Sequence, residues 1–346
     1  MRLKKFLCWL LILALCFSLI ACDNKVSKKS EDTPATKEVV TEKTETEGGT
    51  PTAETDSDPD TEEEGITPLL YQVTDDRGNK IWLFGSVHVG QEEFYPLPDY
   101  VMDAFENADS LAVEADIIAF EADLSGQVQA LMPMLYKDGS KITDHIPEEL
   151  YKKCVDIMKE GDLYVSALDH YMPAFWQIAL NSLFYQEIEI DVELGIERHL
   201  LELAKDEDME ILEIESAAFQ YEMFASFSEE LQILLLEQAV AMFESPTINK
   251  LALSLLINFW KNGNEAGLER SLRSEGAMND EEKELYEEYT EAMITKRNLS
   301  MASFAEDALE SGEEVFICVG AAHVVGADAM VDILQDRGYT VECVSP

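Results

Sequence analysis

Short apolar runs separated by polar turns organise the C-terminal four-fifths of the chain. L-L-Y-Q-V-T-D, the turn D-D-R-G-N and K-I-W-L-F-G-S-V-H predict a β-hairpin starting at Leu69. A helical stretch from Pro98 to Asn107 precedes a short strand, S-L-A-V-E-A, from Ser110 to Ala115. A helix from Leu194 to Lys205 precedes M-E-I-L-E-I-E, read as a strand from Met209 to Glu215. E-V-F-I-C-V-G and Y-T-V-E-C-V close the chain as strands, with a helix at about 324–337 between them. Alternation of strands and helices predicts an α/β fold, a central mixed sheet covered by helices. Residues 147–190 and 216–310 read as almost wholly helical, with apolar stripes in L-Q-I-L-L-L-E-Q-A-V-A-M-F and L-A-L-S-L-L-I-N-F-W. Neither stripe reaches the ~18 apolar residues of a membrane span, so they read as a large helical insertion, capping the sheet or forming a lid.

The first residues follow another pattern. Arg2, Lys4 and Lys5 precede an apolar run from Phe6 to Ile20, the layout of a secretory signal. Leu19-Ile20-Ala21-Cys22 resembles a bacterial lipobox, in which the Cys is diacylated and becomes the mature N-terminus. Two acyl chains anchor stably where one is marginal. From Asp23 to about Glu64 there is no aromatic residue, only Thr, Glu, Ser, Lys, Asp, Pro and a few small or aliphatic residues. Such a stretch cannot bury enough apolar surface to offset its ordering entropy, so a disordered acidic tether is expected. The organisation is then a lipoprotein signal at 1–22, a tether at 23–65 and one folded body at 66–346.

Charge sharpens this picture. With 70 Asp and Glu against 25 Lys and Arg, the net charge is −45. A nucleic-acid binder must neutralise phosphates, so nucleic acid is excluded as a partner. An anionic bilayer repels the chain as well, which leaves the lipid on Cys22 as the membrane device and the extracytoplasmic face of the cell membrane as the location. Once Cys8, Cys16 and Cys22 are accounted for, Cys154, Cys318 and Cys343 remain. Without CxxC spacing they form neither a disulfide framework nor a zinc ribbon and read as core residues.

Two histidines share one context. Gly85-Ser86-Val87-His88 follows I-W-L-F, and Gly320-Ala321-Ala322-His323 follows V-F-I-C-V. Random placement of 17 Gly and 5 His in 346 residues predicts about a quarter of one G-x-x-H occurrence, so two at strand ends point to a shared site. Gly85 and Gly320 each permit a tight turn or a close backbone approach. Acids ending other apolar strands join them: Glu114 in L-A-V-E-A-D, and Glu213 and Glu215 in I-L-E-I-E-S, whose alternation places both on one strand face. Glu197 in G-I-E-R-H opens a helix. Two His with one or two carboxylates suit a catalytic divalent ion with open positions. Arg297-Asn298, in K-R-N-L-S-M-A, supplies the candidate cation to orient a carboxylate or bind an oxyanion. His145 and His170 stand in turn-like contexts and read as surface residues.

L-F-G-S-V-H-V-G, V-E-A-D, G-I-E-R-H-L-L-E-L-A, L-E-I-E-S-A-A-F-Q, K-R-N-L-S-M-A and V-G-A-A-H-V-V-G together resemble the TraB/GumN family, which is related to the Tiki metalloproteases. By position the resemblance implies His88, His323, Glu114 and Glu215 as metal ligands, and Glu114, Glu215 and Arg297 as the catalytic groups. It implies a peptidase-like activity with manganese or cobalt, zinc or iron remaining open. Two functions follow. The first is a membrane-anchored metal-dependent hydrolase, acting on a peptide or protein. The second is a non-catalytic lipoprotein that uses the same fold to bind a peptide or signal.

The anchoring expectation has a direct test. Cys22→Ser should release or misprocess the protein, read by membrane fractionation and the mass of the mature N-terminus. A variant that still partitions with membranes as mature protein refutes the lipobox.

Overall fold

The computed structural model describes residues 65–188, 191–272 and 279–346; the signal, Cys22 and nearly all of the tether lie outside them. Six strands form one mixed sheet: β1 (Leu70–Thr74), β2 (Lys80–Ser86), β3 (Ser110–Val113), β4 (Glu210–Glu213), β5 (Val315–Gly320) and β6 (Thr340–Cys343). Their spatial order is β4-β3-β5-β2-β1-β6. The hairpin β1–β2 and the pair β1–β6 are antiparallel, while β2–β5, β5–β3 and β3–β4 are parallel.

Local chemistry explains the elements. β5 is V-F-I-C-V-G, buried along its whole length, as a central parallel strand covered on both faces requires. In the hairpin turn the Asp75 carboxylate accepts from the N–H groups of Arg77 and Asn79 at 2.9 and 2.8 Å, and Gly78 takes a positive φ of 89°. The register sets Gly85 opposite Val319 and Ser86 opposite Gly320, so the two Gly-x-x-His segments leave neighbouring strands at the same edge.

Helices supply two apolar layers. The first packs on the sheet and includes α1 (Asp99–Glu106), the end of α5 (Pro173–Glu187), α6 (Ile196–Asp206), α9 (Pro246–Lys261), α10 (Glu265–Leu272) and α12 (Lys296–Ser311). The second is a helical cap built largely from α3 (Leu124–Leu131), α4 (Glu148–Glu160), most of α5, α7 (Ala217–Ser226), α8 (Glu229–Glu244) and α11 (Asp280–Thr290), with α2 (Ile117–Ala122) at its edge. Two short helices, α13 (Ala321–Val324) and α14 (Met330–Asp336), lie between β5 and β6. Among the described residues no single helix is long and apolar enough to cross a membrane, and α8 and α9 meet at a 103° bend.

Three details differ from the sequence reading. The helix expected at 324–337 is confined to α14, with α13 ending at Val324 before it, because Gly326 and Asp328 adopt positive φ between the two. The strand expected through Glu215 ends at Glu213, where the chain bends toward Ser216, the N-cap of α7. Cys343 is exposed rather than in the core, since β6 is the sheet's outer strand, whereas Cys154 and Cys318 are buried.

One buried contact ties the sheet layer to β2. The Trp260 indole N–H in α9 donates to the Gly85 carbonyl at 2.7 Å, and its ring packs against Phe84 and Phe94. Trp260→Phe keeps a ring but orphans this acceptor. It should lower stability by about 1–3 kcal/mol, measured by urea unfolding, with native secondary structure retained.

Candidate functional site

Glycine allows two pairs of segments to close around the histidines. A Cβ on Gly195 would stand 2.7 Å from the His88 carbonyl oxygen, and one on Gly90 only 1.6 Å from the Leu194 carbonyl oxygen. The Ile196 N–H donates to the Val87 carbonyl at 3.2 Å. The start of α6 is thus clamped to V-H-V-G, and Glu197 comes to His88, with Nδ1 to Oε2 at 3.3 Å. Within β2 itself, a Cβ on Gly85 would stand 3.0 Å from Ala321 Cα, so Gly85 lets β2 approach the start of α13, which carries His323. Close approach explains both G-x-x-H glycines; neither has a positive φ.

The two imidazoles converge. The position of a Cβ on Gly320 is 3.2 Å from Glu114 Oε1, 3.6 Å from His88 Nε2 and 3.7 Å from His323 Cδ2. Two rings each within 3.7 Å of one point have their nearest atoms no more than twice that distance apart. His323 Nε2 lies 3.9 Å from Glu114 Oε1.

Each ring is oriented from behind. Asn298 Nδ2 donates to the Asp328 carbonyl at 2.8 Å, which leaves its Oδ1 as acceptor for His323 Nδ1 at 2.7 Å. The His323 proton therefore sits on Nδ1, and Nε2, 3.9 Å from Glu114 Oε1, keeps its lone pair. Burial first, and then the positive charge of Arg297, push the His323 pKa down to about 3, so the ring is neutral. His88 behaves oppositely. Burial would lower its pKa, but the hydrogen bond and charge of Glu197, with Glu114 beyond, raise it. Burial also raises the pKa of Glu197, so these two groups compete for one proton.

Arg297 binds the acids together. It follows a π-helical turn, Glu291–Thr295, at the start of α12. Its Nη2 donates to Glu114 Oε2 and, at 2.9 Å, to Glu215 Oε2; Nε reaches Glu215 Oε1 at 2.8 Å, and Nη1 the Met293 carbonyl at 3.2 Å. Glu114 also accepts the Gly320 N–H at 2.8 Å and the Gln220 amide at 3.2 Å. Burial would raise the Glu114 pKa, yet Arg297 foremost, then His323, His88 and the Gly320 N–H, bring it down to about 2.

These residues lie at the seam of the two apolar layers. Val113 packs with the sheet and Ala115 with the cap, with Glu114 between them; likewise Met301 packs with the sheet and Met293 with the cap, with Arg297 between.

His88, Glu114, Glu197, Glu215, Arg297, Asn298 and His323 are therefore gathered at one place. Glu213 is not. It faces solvent and accepts from the Asp116 N–H at 2.9 Å, because the bend at 214–215 breaks the alternation that would have put both acids on one face. Gln220 was missed as a site residue; its signal was its place in L-E-I-E-S-A-A-F-Q, just over one helical turn after Glu215, bonded to both acids. His145 is half-buried, stacked on Tyr136 and paired with Glu229 at 2.8 Å. His199, on α6, has its pKa lowered by burial and packs against Tyr95. Neither belongs to the cluster.

The chemistry of the donors bears on a metal. Among the described residues no three His, Cys, Asp or Glu are arranged as a ready ligand group. Glu215 is held on two oxygens by Arg297 and does not fit the role of ligand. The remaining set fits in donor type: two imidazoles whose Nδ1 atoms face oxygen partners and whose Nε2 atoms are left for a metal, plus Glu114 Oε1, with His88 Nε2 and Glu114 Oε1 3.6 and 3.2 Å from the Cβ position on Gly320. A separation of 3.9 Å between His323 Nε2 and Glu114 Oε1 is one that two ligands can span at bonds of ~2.1 Å.

The ion cluster predicts a stability effect. Arg297→Leu strands two buried carboxylates and should cost about 3–5 kcal/mol in urea unfolding at neutral pH. In the metal-free parent, Glu114 stays ionised to about pH 2 against its ordinary 4.5, so its contribution is complete above pH 4.5 and disappears as pH falls toward 2. In Arg297→Leu Glu114 loses the main group that lowers its pKa and binds a proton more tightly in the folded state, so the gap from the parent should narrow as the pH is lowered.

Residues 69–343 match the TraB/PrgY/gumN family. The chain is 25% identical over 255 residues to the uncharacterized protein YbaP of Escherichia coli (strain K12), a match covering 73% of this chain and 87% of that protein. It is 24% identical over 277 residues to an uncharacterized protein of Treponema pallidum (strain Nichols), covering 78% of this chain and 80% of that one. No solved structure matches it. The family match spans the sheet, the cap and every member of the buried cluster, and the chain belongs to the TraB/PrgY/gumN family.

Proposed function

We propose that this protein is a lipid-anchored, extracytoplasmic hydrolase of peptide bonds that works with a divalent ion held by His88, His323 and Glu114. One observation carries the reading: both imidazoles have Nδ1 turned to an oxygen partner, which leaves Nε2 as the ligand atom, with His88 Nε2 3.6 Å from the Cβ position on Gly320 and His323 Nε2 3.9 Å from Glu114 Oε1. When bound there, the ion would lower the pKa of a water and polarise a carbonyl. The peptide substrate class, and manganese or cobalt as the ion, rest on the resemblance to the Tiki branch.

The chain's own groups divide the remaining work. Asn298 holds His323 in the Nδ1–H tautomer. Glu197 stands 3.3 Å behind His88 Nδ1 and orients the ring, which leaves Nε2 as its ligand atom. Arg297 keeps Glu114 ionised and holds Glu215 in place; with Nε, Nη1 and Nη2 all engaged it acts as a positioning residue rather than as the oxyanion donor expected of it.

One observation favours a second reading, a peptide- or signal-binding lipoprotein. All four carboxylate oxygens of Glu114 and Glu215 already have partners in Arg297, Gln220 or Gly320, a closed network that stands without further ligands.

A peptide-library cleavage profile with and without manganese separates the readings. The hydrolase predicts cleavage on metal addition, and its loss together with metal retention in His88→Ala or His323→Ala, with the fold kept by circular dichroism. Cleavage independent of metal and of both histidines refutes it. Gly320→Ala is a sharper probe, because its methyl would stand 3.2 Å from Glu114 Oε1 without removing a donor. It should weaken manganese binding by at least about tenfold in titration calorimetry, the outcome expected when a ligand geometry is blocked. Unchanged binding would place the ion elsewhere.

A further inference from the structure

The helix α9 departs from the charge pattern of the chain. Acids number 70 in 346 residues, about one in five, yet residues 245–264 contain none; their only charged residues are Lys250 and Lys261. One side of α9 is core: Leu253, Leu256, Ile257 and Trp260 pack on the sheet layer. The other side is not covered. Ile248, Leu251 and Leu255 are 56%, 70% and 49% exposed and share one helical face by their spacing of three and four.

The route of the chain gives this face its neighbour. The segment leading from Cys22 reaches the body at the C-terminal end of α9, where the Thr67 N–H donates to the Lys261 carbonyl at 2.6 Å. Gly263 lies against the Thr67 carbonyl there, where a Cβ would stand 2.5 Å from it. A chain anchored through Cys22 would therefore enter the body beside α9. Leu255 lies less than two turns from Lys261, about 9 Å along the axis at 1.5 Å per residue.

We propose that α9 lies in the plane of the lipid surface to which the chain is anchored, with Ile248, Leu251 and Leu255 entering the headgroup boundary. The inference rests on the reading of Cys22 as lipidated. A helix with an apolar face and a lysine beside it binds such an interface, and a helix that carries no acid of its own is where a chain of net charge −45 meets least repulsion from anionic lipid; Lys250 is that lysine, since Lys261 at the far end is paired with Glu93 at 3.2 Å. A second copy is a poorer occupant, since two such chains repel each other. The docked helix would also set the orientation of the site, because the opposite face of α9 holds Gly85 through Trp260, three residues before His88.

The test uses the lipidated full chain carrying Cys343→Ser, the exposed thiol removed, on vesicles of phosphatidylethanolamine and phosphatidylglycerol. A bimane probe is placed by Leu251→Cys or, for comparison, by Val165→Cys at a position 56% exposed on the cap. Nitroxide lipid labelled near the headgroup should quench the probe at 251 at least about twice as strongly as the probe at 165, as interfacial burial of one face requires. Ile248→Ser with Leu255→Ser should abolish the difference while flotation with vesicles persists. Flotation with equal quenching at both positions overturns the docking and leaves the anchor standing. Failure to float overturns the anchor and the docking with it. Shielding of the probe at 251 that grows with protein concentration in the absence of vesicles assigns the face to a second copy and overturns the proposal.

Discussion

A guanidinium between two buried carboxylates is the constraint on which the rest of the site depends. Glu114 follows β3, Glu215 follows β4 and Arg297 opens α12, so the cluster joins three distant parts of the chain. Desolvating three charges is unfavourable unless every donor and acceptor is met. Here Gly320, Gln220 and the Met293 carbonyl complete the set, and the strand ends cannot drift without exposing an unpaired charge. The histidines inherit that rigidity, His323 through its neighbour Asn298 on the same helix as Arg297, and His88 through Glu197.

Much of this was legible in the sequence wherever local rules and tertiary contacts agree. β5 reads as a buried parallel strand because every residue is apolar or small, and the repeated Gly-x-x-His after two strands signalled one edge of a sheet. The glycines were legible as close approaches, though not which backbone approached which. Glu213 and Glu215 misled because alternation holds only while a strand lasts, and this one ends between them. Gln220 carried no periodic signal; its importance comes from a helix N-terminus being docked against the acids, which is a property of the assembled fold. The division of helices between a sheet layer and a cap was equally hidden, since an apolar stripe says that a face is buried and not against what.

The seam between those layers explains where a polar cluster can exist in a chain with this much core. Side chains of Glu114 and Arg297 leave the backbone where it passes from one apolar layer to the other, so neither layer is interrupted by them. A site inside either layer would have broken its packing, whereas at the seam the charges occupy a boundary that the two layers must share in any case.

The π-helical turn Glu291–Thr295 has a consequence for how such a site can vary. A π turn holds one residue more than an α turn, so it resets the angular phase of everything after it. Loss of a single residue there would leave an uninterrupted helix of good composition, but Arg297 and Asn298 would rotate by about 100° around its axis. Both would swing off the acids and the imidazole together while the apolar stripe found new neighbours. Length changes that loops absorb easily are therefore forbidden in this helix, and the segment acts as a phase key whose count of residues matters more than their identity.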